Sequence, residues 1–276
     1  MSSVSIAPMS LPRTPSGGRV TQMRVILSEW TKFRSLRSTR YTLLATVGLT
    51  VWLALAAAIL VVSQWGTMTA ANKATFQPLN VSLVGASISV MVIGVLGVLM
   101  MTSEFSTGVV SSTFAGVPKR LPVLWGKAAV YTIIAMSAAV PAMLVAFFST
   151  QAILSGNHIQ IGFGHSGVAR AVFGSALYLT IAGLLGLGLG GIFRSTAAAV
   201  TSLTVILFVL PVIVFILPPG LSNSISPYLP GNAGQAIMSI VPQAHTLAPW
   251  VGLGVFAAYA FAAIAVAAVL LVKRDV

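Results

Sequence analysis

The side chains that could support acid–base, nucleophilic or metal chemistry are few in this sequence. Over 276 residues there are three acidic side chains and three imidazoles, Glu29, Glu104, Asp275, His158, His165 and His245, and no cysteine. The histidines lie far along the chain from both glutamates, whereas a metal site or a nucleophile–base pair needs such groups in one cluster. We therefore predict no catalytic, cofactor-binding or metal-binding residues, and we expect each histidine to be an ordinary loop residue.

The sequence also contains no recognisable energy source. A phosphate-binding loop of the form G-x-x-x-x-G-K-[ST] cradles phosphates with backbone N–H groups. The nearest match, Gly126-Lys127, is followed by Ala128 and lacks the earlier glycine. Ion-coupled carriers place titratable side chains inside their spans, and the long apolar runs of this chain contain no Asp, Glu or His. Any ATP and Mg²⁺ would therefore be bound by a separate subunit.

The composition is that of an integral membrane protein. Hydrophobic residues make up 57% of the chain and charged residues 7%, with a mean hydropathy of +0.99, whereas soluble domains carry about 25% charged residues. The formal net charge of +12 would suit a nucleic-acid-binding protein if basic residues covered a polar surface. They lie instead in short gaps between apolar runs, so we exclude nucleic acid as a partner.

Six apolar runs are long enough to cross a bilayer, which takes about 20 residues. They are Tyr41–Ser63, Val81–Thr102, Ala128–Thr150, Ala171–Phe193, Ala197–Leu217 and Trp250–Val272. The sequence thus predicts an all-α membrane protein with six transmembrane helices in one domain, residues 21–276. Residues 1–20, rich in Ser, Pro and Gly, are expected to form a disordered cytoplasmic tail.

The positions of the basic residues predict the orientation. Of the 15 Lys and Arg, all but Lys73 and Arg170 fall at the termini, in the 103–127 loop or in the 194–196 turn. Because Lys and Arg concentrate on the cytoplasmic side, we place both termini and these two loops in the cytoplasm. Loops 64–80, 151–170 and 218–249 then face outward, and we expect the protein to lie in the cell membrane.

Glycine and proline add expectations about packing. Gly186 and Gly190 form a small-xxx-small pair in the fourth run, which favours close packing against another span of the same chain, with a subunit interface as the alternative. Pro141 and Pro211 each remove a backbone donor inside a run, so we predict kinks there. The 194–196 turn is so short that the fourth and fifth spans must be antiparallel neighbours.

An amphipathic helix is predicted over residues 21–40, directly before the first span. Its apolar face and its basic flank comprise Ile26, Leu27, Trp30, Phe33, Arg34 and Arg37. This pattern is typical of a helix that lies among lipid headgroups, with its basic residues on anionic lipid. Two interpretations stay open: a plain membrane anchor, or an elbow that couples a cytoplasmic partner to the first span.

The loop after the second span holds the chain's only acidic residue next to the end of a span, Glu104. Lys119, Arg120 and Lys127 are candidate partners for it, because a carboxylate at that depth needs water or a cation. The segment of interest consists of Glu104, Gly108, Ser111, Ser112, Thr113, Phe114, Ala115, Gly116 and Val117. Residues 111–117 could form a short helix that Pro118 ends, and Pro122 is expected to break the chain again. The loop is either a simple connector or a docking surface for a cytoplasmic partner.

Four segments resemble the permease subunits of ABC-2-type transporters, above all those of actinobacteria. They are Ser28–Thr46, Thr102–Lys127, Leu229–Ile237 and Leu270–Val276. The resemblance implies six spans with both ends inside, two permease subunits (identical or different) and two copies of a cytoplasmic ATPase that binds ATP and Mg²⁺. It also implies that residues 21–40 are the connecting helix and that residues 218–249 form an outer cap.

The resemblance assigns roles within the 103–127 loop as well. Glu104 and Gly108 match the acidic and glycine positions that open this loop in the family, and residues 111–117 match its coupling helix, which sits on the ATPase. Val109 and Val110 depart from the pattern, because a more polar pair is expected there.

The sequence therefore favours a non-enzymatic transport subunit. A path through the spans would be lined by apolar side chains and by the hydroxyls of Thr46, Thr50, Ser87, Ser89, Thr201, Ser202 and Thr204. With no fixed charge, such a wall suits a hydrophobic or amphipathic cargo such as a drug, a lipid or a peptide. The alternative is a non-transporting membrane anchor, immunity protein or regulatory subunit of a partner complex.

Overall fold

A computed structural model describes residues 27–28, 30–31, 37–106, 120–241 and 243–273. All regular elements in these ranges are helical. The helices are α1 (Arg37–Gln64), α2 (Ala70–Ala74), α3 (Pro78–Ser106), α4 (Arg120–Ser155), α5 (Val168–Phe193), α6 (Thr196–Thr204), α7 (Leu210–Phe215), α8 (Pro219–Ile225), α9 (Pro230–Gln235) and α10 (Pro249–Lys273). A π-helical turn, Val205–Val209, joins α6 to α7, and short 3-10 turns, Ser226–Tyr228 and Ala236–Met238, flank α9.

Six helical segments are long and apolar enough to cross a membrane, as predicted. They are α1, α3, α4, α5, the continuous α6–π–α7 segment and α10, and each contains or nearly matches one predicted run. The chain is therefore a multi-pass membrane protein. Which face of the membrane each end occupies stays a prediction. We call the end where α3 finishes and α4 begins the loop end, and the opposite end the Arg170 end.

The prediction that Pro122 breaks the chain before the third span was wrong. Helix α4 begins at Arg120 and runs without interruption to Ser155, through both Pro122 and Pro141. A proline in the first turn of a helix costs little, because the N–H it lacks has no partner there in any case. Lys127, which we had assigned to the loop, consequently lies in α4, where it is only 3% exposed.

Helix α5 is the central element of the bundle. In the most apolar 18-residue stretch of α5, 72% of the residues are buried inside the protein, whereas in the corresponding stretch of α1 only 22% are buried. It packs most extensively against α3 and also against α10, α4 and α6, while α1 packs on α3 and α4. The buried core therefore surrounds α5, and the other spans leave large apolar surfaces for lipid.

Glycines allow α5 to approach α3 at backbone distance. A Cβ at Gly97 of α3 would collide with the carbonyl oxygen of Gly183, and a Cβ at Gly186 would collide with that of Gly94. A Cβ at Gly190 would lie 3.1 Å from the carbonyl oxygen of Val98. The expectation that Gly186 and Gly190 pack against a span of the same chain is confirmed. Close approach of this kind is a main source of helix association in lipid, where burial of apolar surface gives no advantage.

Two residues reverse the chain between α5 and α6. Arg194 adopts the left-handed conformation, with φ of 53°, and its N–H donates to the Gly190 carbonyl. Ser195 is extended, and α6 starts at Thr196. The fourth and fifth spans are thus neighbours that run in opposite directions, as the short connection predicted.

The fifth span contains a local irregularity instead of a uniform helix. The Leu210 N–H donates to the Val205 carbonyl, five residues earlier, and Pro211 follows at once. Because Pro211 has no N–H, one hydrogen bond of a regular α-helix is absent here, and wide turns commonly occur at such points. Pro211 therefore coincides with a π turn, whereas α4 stays α-helical through Pro141.

Part of the predicted outer loop belongs to the core. Most of α9 and the 3-10 turn after it is buried against α5 and α10. A Cβ at Gly234 would lie 2.6 Å from the Tyr178 ring and 2.7 Å from the Phe256 ring, and one at Gly252 would collide with the Ala233 carbonyl oxygen. Because neither glycine has a side chain, α9 can pack directly on α5 and α10 at the Arg170 end of the bundle.

Candidate functional site

The residues predicted to couple to an ATPase lie almost entirely outside the described part of the chain. Glu104 is in the last turn of α3. Gly108 and residues 111–117 fall in the gap between positions 106 and 120. Their assignment to a docking surface stays a prediction.

The predicted interfacial helix is described only in part. Leu27 and Trp30 are helical and exposed, and Arg37 is the first residue of α1. Ile26, Phe33 and Arg34 lie outside the described residues. The amphipathic character of the segment therefore rests on the sequence.

The structure does describe the base of the 103–127 loop, where three helices are linked. The hydroxyl of Thr196, at the start of α6, donates to the hydroxyl of Thr102 in α3 at 2.8 Å. The Arg194 guanidinium lies over the Phe105 ring, 5.3 Å from its centroid, which is within the range of a cation–π interaction. A displacement of the last turn of α3 would therefore be transmitted directly to the turn between α5 and α6.

Several hydroxyls proposed to line a path are instead buried between helices. Thr46 donates to the Thr42 carbonyl at 2.8 Å, and Thr50 donates to the Thr46 carbonyl at 2.7 Å. Thr50 also hydrogen-bonds to Ser89 of α3 at 2.8 Å. Thr46, Thr50 and Ser89 are fully buried within the chain. Thr50 and Ser89 link α1 to α3, and Thr46 is bonded within α1. Thr201, by contrast, is exposed, and Ser87 borders a cavity.

A cavity of about 390 Å³ lies at the Arg170 end of the bundle. One wall is the first part of α3, with Asn80 and Ser87, and the other wall is the segment between α8 and α10. Most of its lining side chains are neutral and polar. That segment contributes Ser226, Asn232, Gln235, Ser239, Gln243, His245 and Thr246. The cavity thus offers many hydrogen-bonding groups and no carboxylate.

A second cavity of about 270 Å³ adjoins the first and contains Arg170. The two share the lining residues Ala236, Ser239, Gln243, Thr246 and Leu247. They are therefore two compartments on either side of one stretch of chain. We call them together the Arg170 cavity.

Short hydrogen bonds shape the stretch that separates the compartments. The Arg170 Nη2 donates to the Ser239 carbonyl at 2.7 Å, and the Ser239 hydroxyl donates to the Val241 carbonyl at 2.6 Å. The Thr246 hydroxyl donates to the Gln243 carbonyl at 2.8 Å. The Arg170 Nε, by contrast, is buried and has no hydrogen-bond partner among the described residues.

Among the described residues, no acidic side chain lies at the end of the bundle that contains Arg170. The sequence contains no Asp or Glu between Glu104 and Asp275, and Glu104 lies at the opposite end of α3. The other basic residue in the predicted outer loops, Lys73, lies over the Trp65 ring at 5.4 Å from its centroid. The Arg170 cavity is therefore a locally positive site surrounded by neutral donors and acceptors.

The histidines do not form a metal site. His158 and His165 lie in the connection between α4 and α5, and His245 borders the Arg170 cavity. Within the described ranges no three His, Cys, Asp or Glu residues cluster closely enough to hold a metal ion.

Comparison with known proteins does not assign this chain to a family. Neither a scan against protein-family models nor a search of curated proteins found a match to this chain. The likeness to ABC-2-type permeases therefore depends on the sequence segments given above.

Sequence reasoning missed the Arg170 cavity, because its walls come from segments more than a hundred residues apart. One signal was available: Arg170 is one of only two basic residues outside the basic clusters. The sequence assigned Arg170 to the predicted loop 151–170 and used it only as evidence of orientation, whereas it lies in the first turn of α5.

Proposed function

We propose that this protein is the membrane-spanning permease subunit of an ATP-driven exporter. It would pair with a second permease, identical or different, and with two copies of a cytoplasmic ATPase that binds ATP and Mg²⁺. Its cargo would be hydrophobic or amphipathic, such as a drug, a lipid or a peptide. The chain itself would perform no chemistry.

The observation that carries the proposal is the linkage at the base of the 103–127 loop. A subunit driven by an external motor needs a loop that the motor can displace and helices that move with it. The Thr102–Thr196 hydrogen bond and the Arg194–Phe105 contact join that loop's first helix to the fourth and fifth spans. This arrangement supports a loop that transmits force in preference to a simple connector.

The distribution of titratable groups also favours an external energy source. The spans contain no histidine, and Glu104 is the only acidic residue in the described helices. Proton-coupled carriers depend on such groups at membrane depth. A separate ATPase remains the simplest source of energy.

Co-purification and reconstitution test the proposal. We expect a neighbouring reading frame to encode the ATPase. When the two are expressed together, purification of this protein in mild detergent should recover that ATPase in equal amount. Proteoliposomes containing both should move cargo only with ATP. Replacing residues 111–117 by a Gly/Ser stretch of equal length should release the ATPase, while the same replacement at residues 66–72, a largely exposed segment of a predicted outer loop, should not.

Two outcomes would contradict the proposal in different ways. Stable binding of an ATPase without ATP-dependent movement of any cargo would favour the anchor or regulatory alternative. Movement driven by an ion gradient in the absence of ATP would replace it with an ion-coupled carrier.

A further inference from the structure

We propose that the Arg170 cavity binds a phosphate group, with the Arg170 guanidinium as its charged partner. The proposal does not depend on the exporter function, because it concerns the end of the bundle opposite the 103–127 loop. It assigns a ligand to a cavity with ten polar lining residues, Arg170 among them.

The hydrogen bonding of Arg170 indicates the ligand. A guanidinium has five N–H donors in a fixed planar fork, and here Nη2 is bound to the Ser239 carbonyl while Nε is buried without a partner. A buried donor without an acceptor is costly, more so when it is charged. A phosphate accepts hydrogen bonds from guanidinium N–H groups and also supplies the negative charge that Arg170 lacks among its described neighbours.

The surroundings of Arg170 suit an anion and do not suit a cation. Apart from Arg170, the polar side chains that line the cavity are amides, hydroxyls and one imidazole, among apolar residues, and no carboxylate lines it. Gln243 and Thr246 line both compartments, including the one that contains Arg170. The Thr246 hydroxyl already donates to the Gln243 carbonyl, so the Gln243 amide is the neutral donor that borders the space beside Arg170. The volumes, about 390 and 270 Å³, are close to the roughly 300–1,000 Å³ of small-molecule sites.

The flanking aromatic residues place the cavity at the depth of lipid headgroups. Tyr228 directly follows Pro227 of the first compartment, and Trp250 directly follows Pro249 of the second. Their side chains are 55% and 61% exposed. Exposed Tyr and Trp at the ends of spans are typical of the membrane–water interface. A phospholipid headgroup and a soluble phosphate can both reach such a site, and the experiment must separate them.

Binding can be measured on the purified full chain by native mass spectrometry from neutral detergent. The probes are phosphatidylglycerol, diacylglycerol with the same acyl chains but no phosphate, and inorganic phosphate. We expect phosphatidylglycerol to bind and diacylglycerol not to bind. Competition by millimolar inorganic phosphate would identify a soluble phosphate as the ligand, and its failure to compete would identify the lipid.

Matched variants test the role of Arg170. Arg170→Gln should weaken binding roughly 10- to 100-fold, the effect of losing a hydrogen bond to a charged group. Lys73→Gln removes the same charge from the same end, outside the cavity, and should change binding less than about twofold because exposed charges contribute little. Ala248→Trp would fill the second compartment while keeping Arg170, and it should also weaken binding.

Clear results would overturn the proposal. Unchanged affinity in Arg170→Gln, or an equal loss in Lys73→Gln, would show that binding is not specific to the cavity. If Arg170→Gln does not yield folded protein, unchanged affinity in Ala248→Trp would equally show that the phosphate does not bind in the cavity. None of these measurements involves ATP or movement across the membrane, so their failure would leave the exporter proposal unaffected.

Discussion

Replacing Gly97 by alanine tests whether α3 and α5 are held at backbone contact. A Cβ at this position would lie 2.8 Å from the carbonyl carbon of Gly183 and would collide with its oxygen. Carbon atoms in ordinary contact are about 3.5–4.0 Å apart, so the helices must separate locally by roughly 1 Å. No side-chain rotation can relieve the collision, because the obstacle is backbone.

Two opposing effects set the magnitude. Alanine is a better helix former than glycine by about 1 kcal/mol. Overpacking a filled core costs about 1–3 kcal/mol, and a backbone obstacle puts this site at the upper end. The separation would also loosen the neighbouring contact of Gly186 with Gly94. We therefore expect Gly97→Ala to lower the free energy of unfolding by about 2 kcal/mol.

Equilibrium unfolding in mixed micelles, with circular dichroism to follow helix content, measures the change. The control is Gly254→Ala in α10, where an added Cβ meets nothing within 4 Å. The control should leave stability unchanged or raise it by up to about 1 kcal/mol. If Gly97→Ala is as stable as Gly254→Ala, α3 and α5 are not in backbone contact and the packing described here is wrong.

Three further changes probe the links between helices. Thr50→Val, which removes the hydroxyl bound to Ser89, should cost about 0.6 kcal/mol in the same unfolding assay, whereas the exposed Thr201→Val should cost nothing; equal costs would contradict the inter-helix bond. Gln151→Leu leaves the Ile161 N–H without its acceptor and should lower stability by about 1–3 kcal/mol, with faster hydrogen exchange at that amide; unchanged exchange would count against it. Glu104→Ala should reduce ATP-driven transport in proteoliposomes without reducing membrane insertion, and full transport would remove its assigned role.

The number and position of the spans could be predicted because a bilayer imposes a simple rule. Each span must be helical and apolar over the hydrocarbon thickness, so hydropathy alone located all six. The start of α4 was predicted too late, because Pro122 was interpreted as a break and not as a residue of the first turn. The rule that proline is tolerated there would have corrected the boundary.

The contact between α3 and α5, the burial of α9 and the Arg170 cavity could be recognised only from the tertiary structure. That Gly186 and Gly190 pack within the chain followed from their spacing, but nothing in the sequence paired Gly183 with Gly97. The buried position of α9 could not be inferred, because its Gly and Pro content resembles that of an exposed loop. The Arg170 cavity forms only when this segment is placed against the first turns of α3.

The π turn in the fifth span sets the direction in which the side chains of that span's second half point. Such a turn holds one residue more than an α-helical turn, so the side chains from Leu210 to Phe215 are rotated by about 100° from where an unbroken helix would place them. Phe215, the last residue of that segment, is 83% exposed, and the offset contributes to the direction in which it points. Deleting one residue from Val205–Val209 would shorten the span by only about 1.5 Å. It would nevertheless rotate the side chains of Leu210–Phe215, so different residues of this segment would face outward from the bundle. A helical periodicity calculated over the whole span is therefore misleading, because the residues before and after the π turn follow two different angular registers.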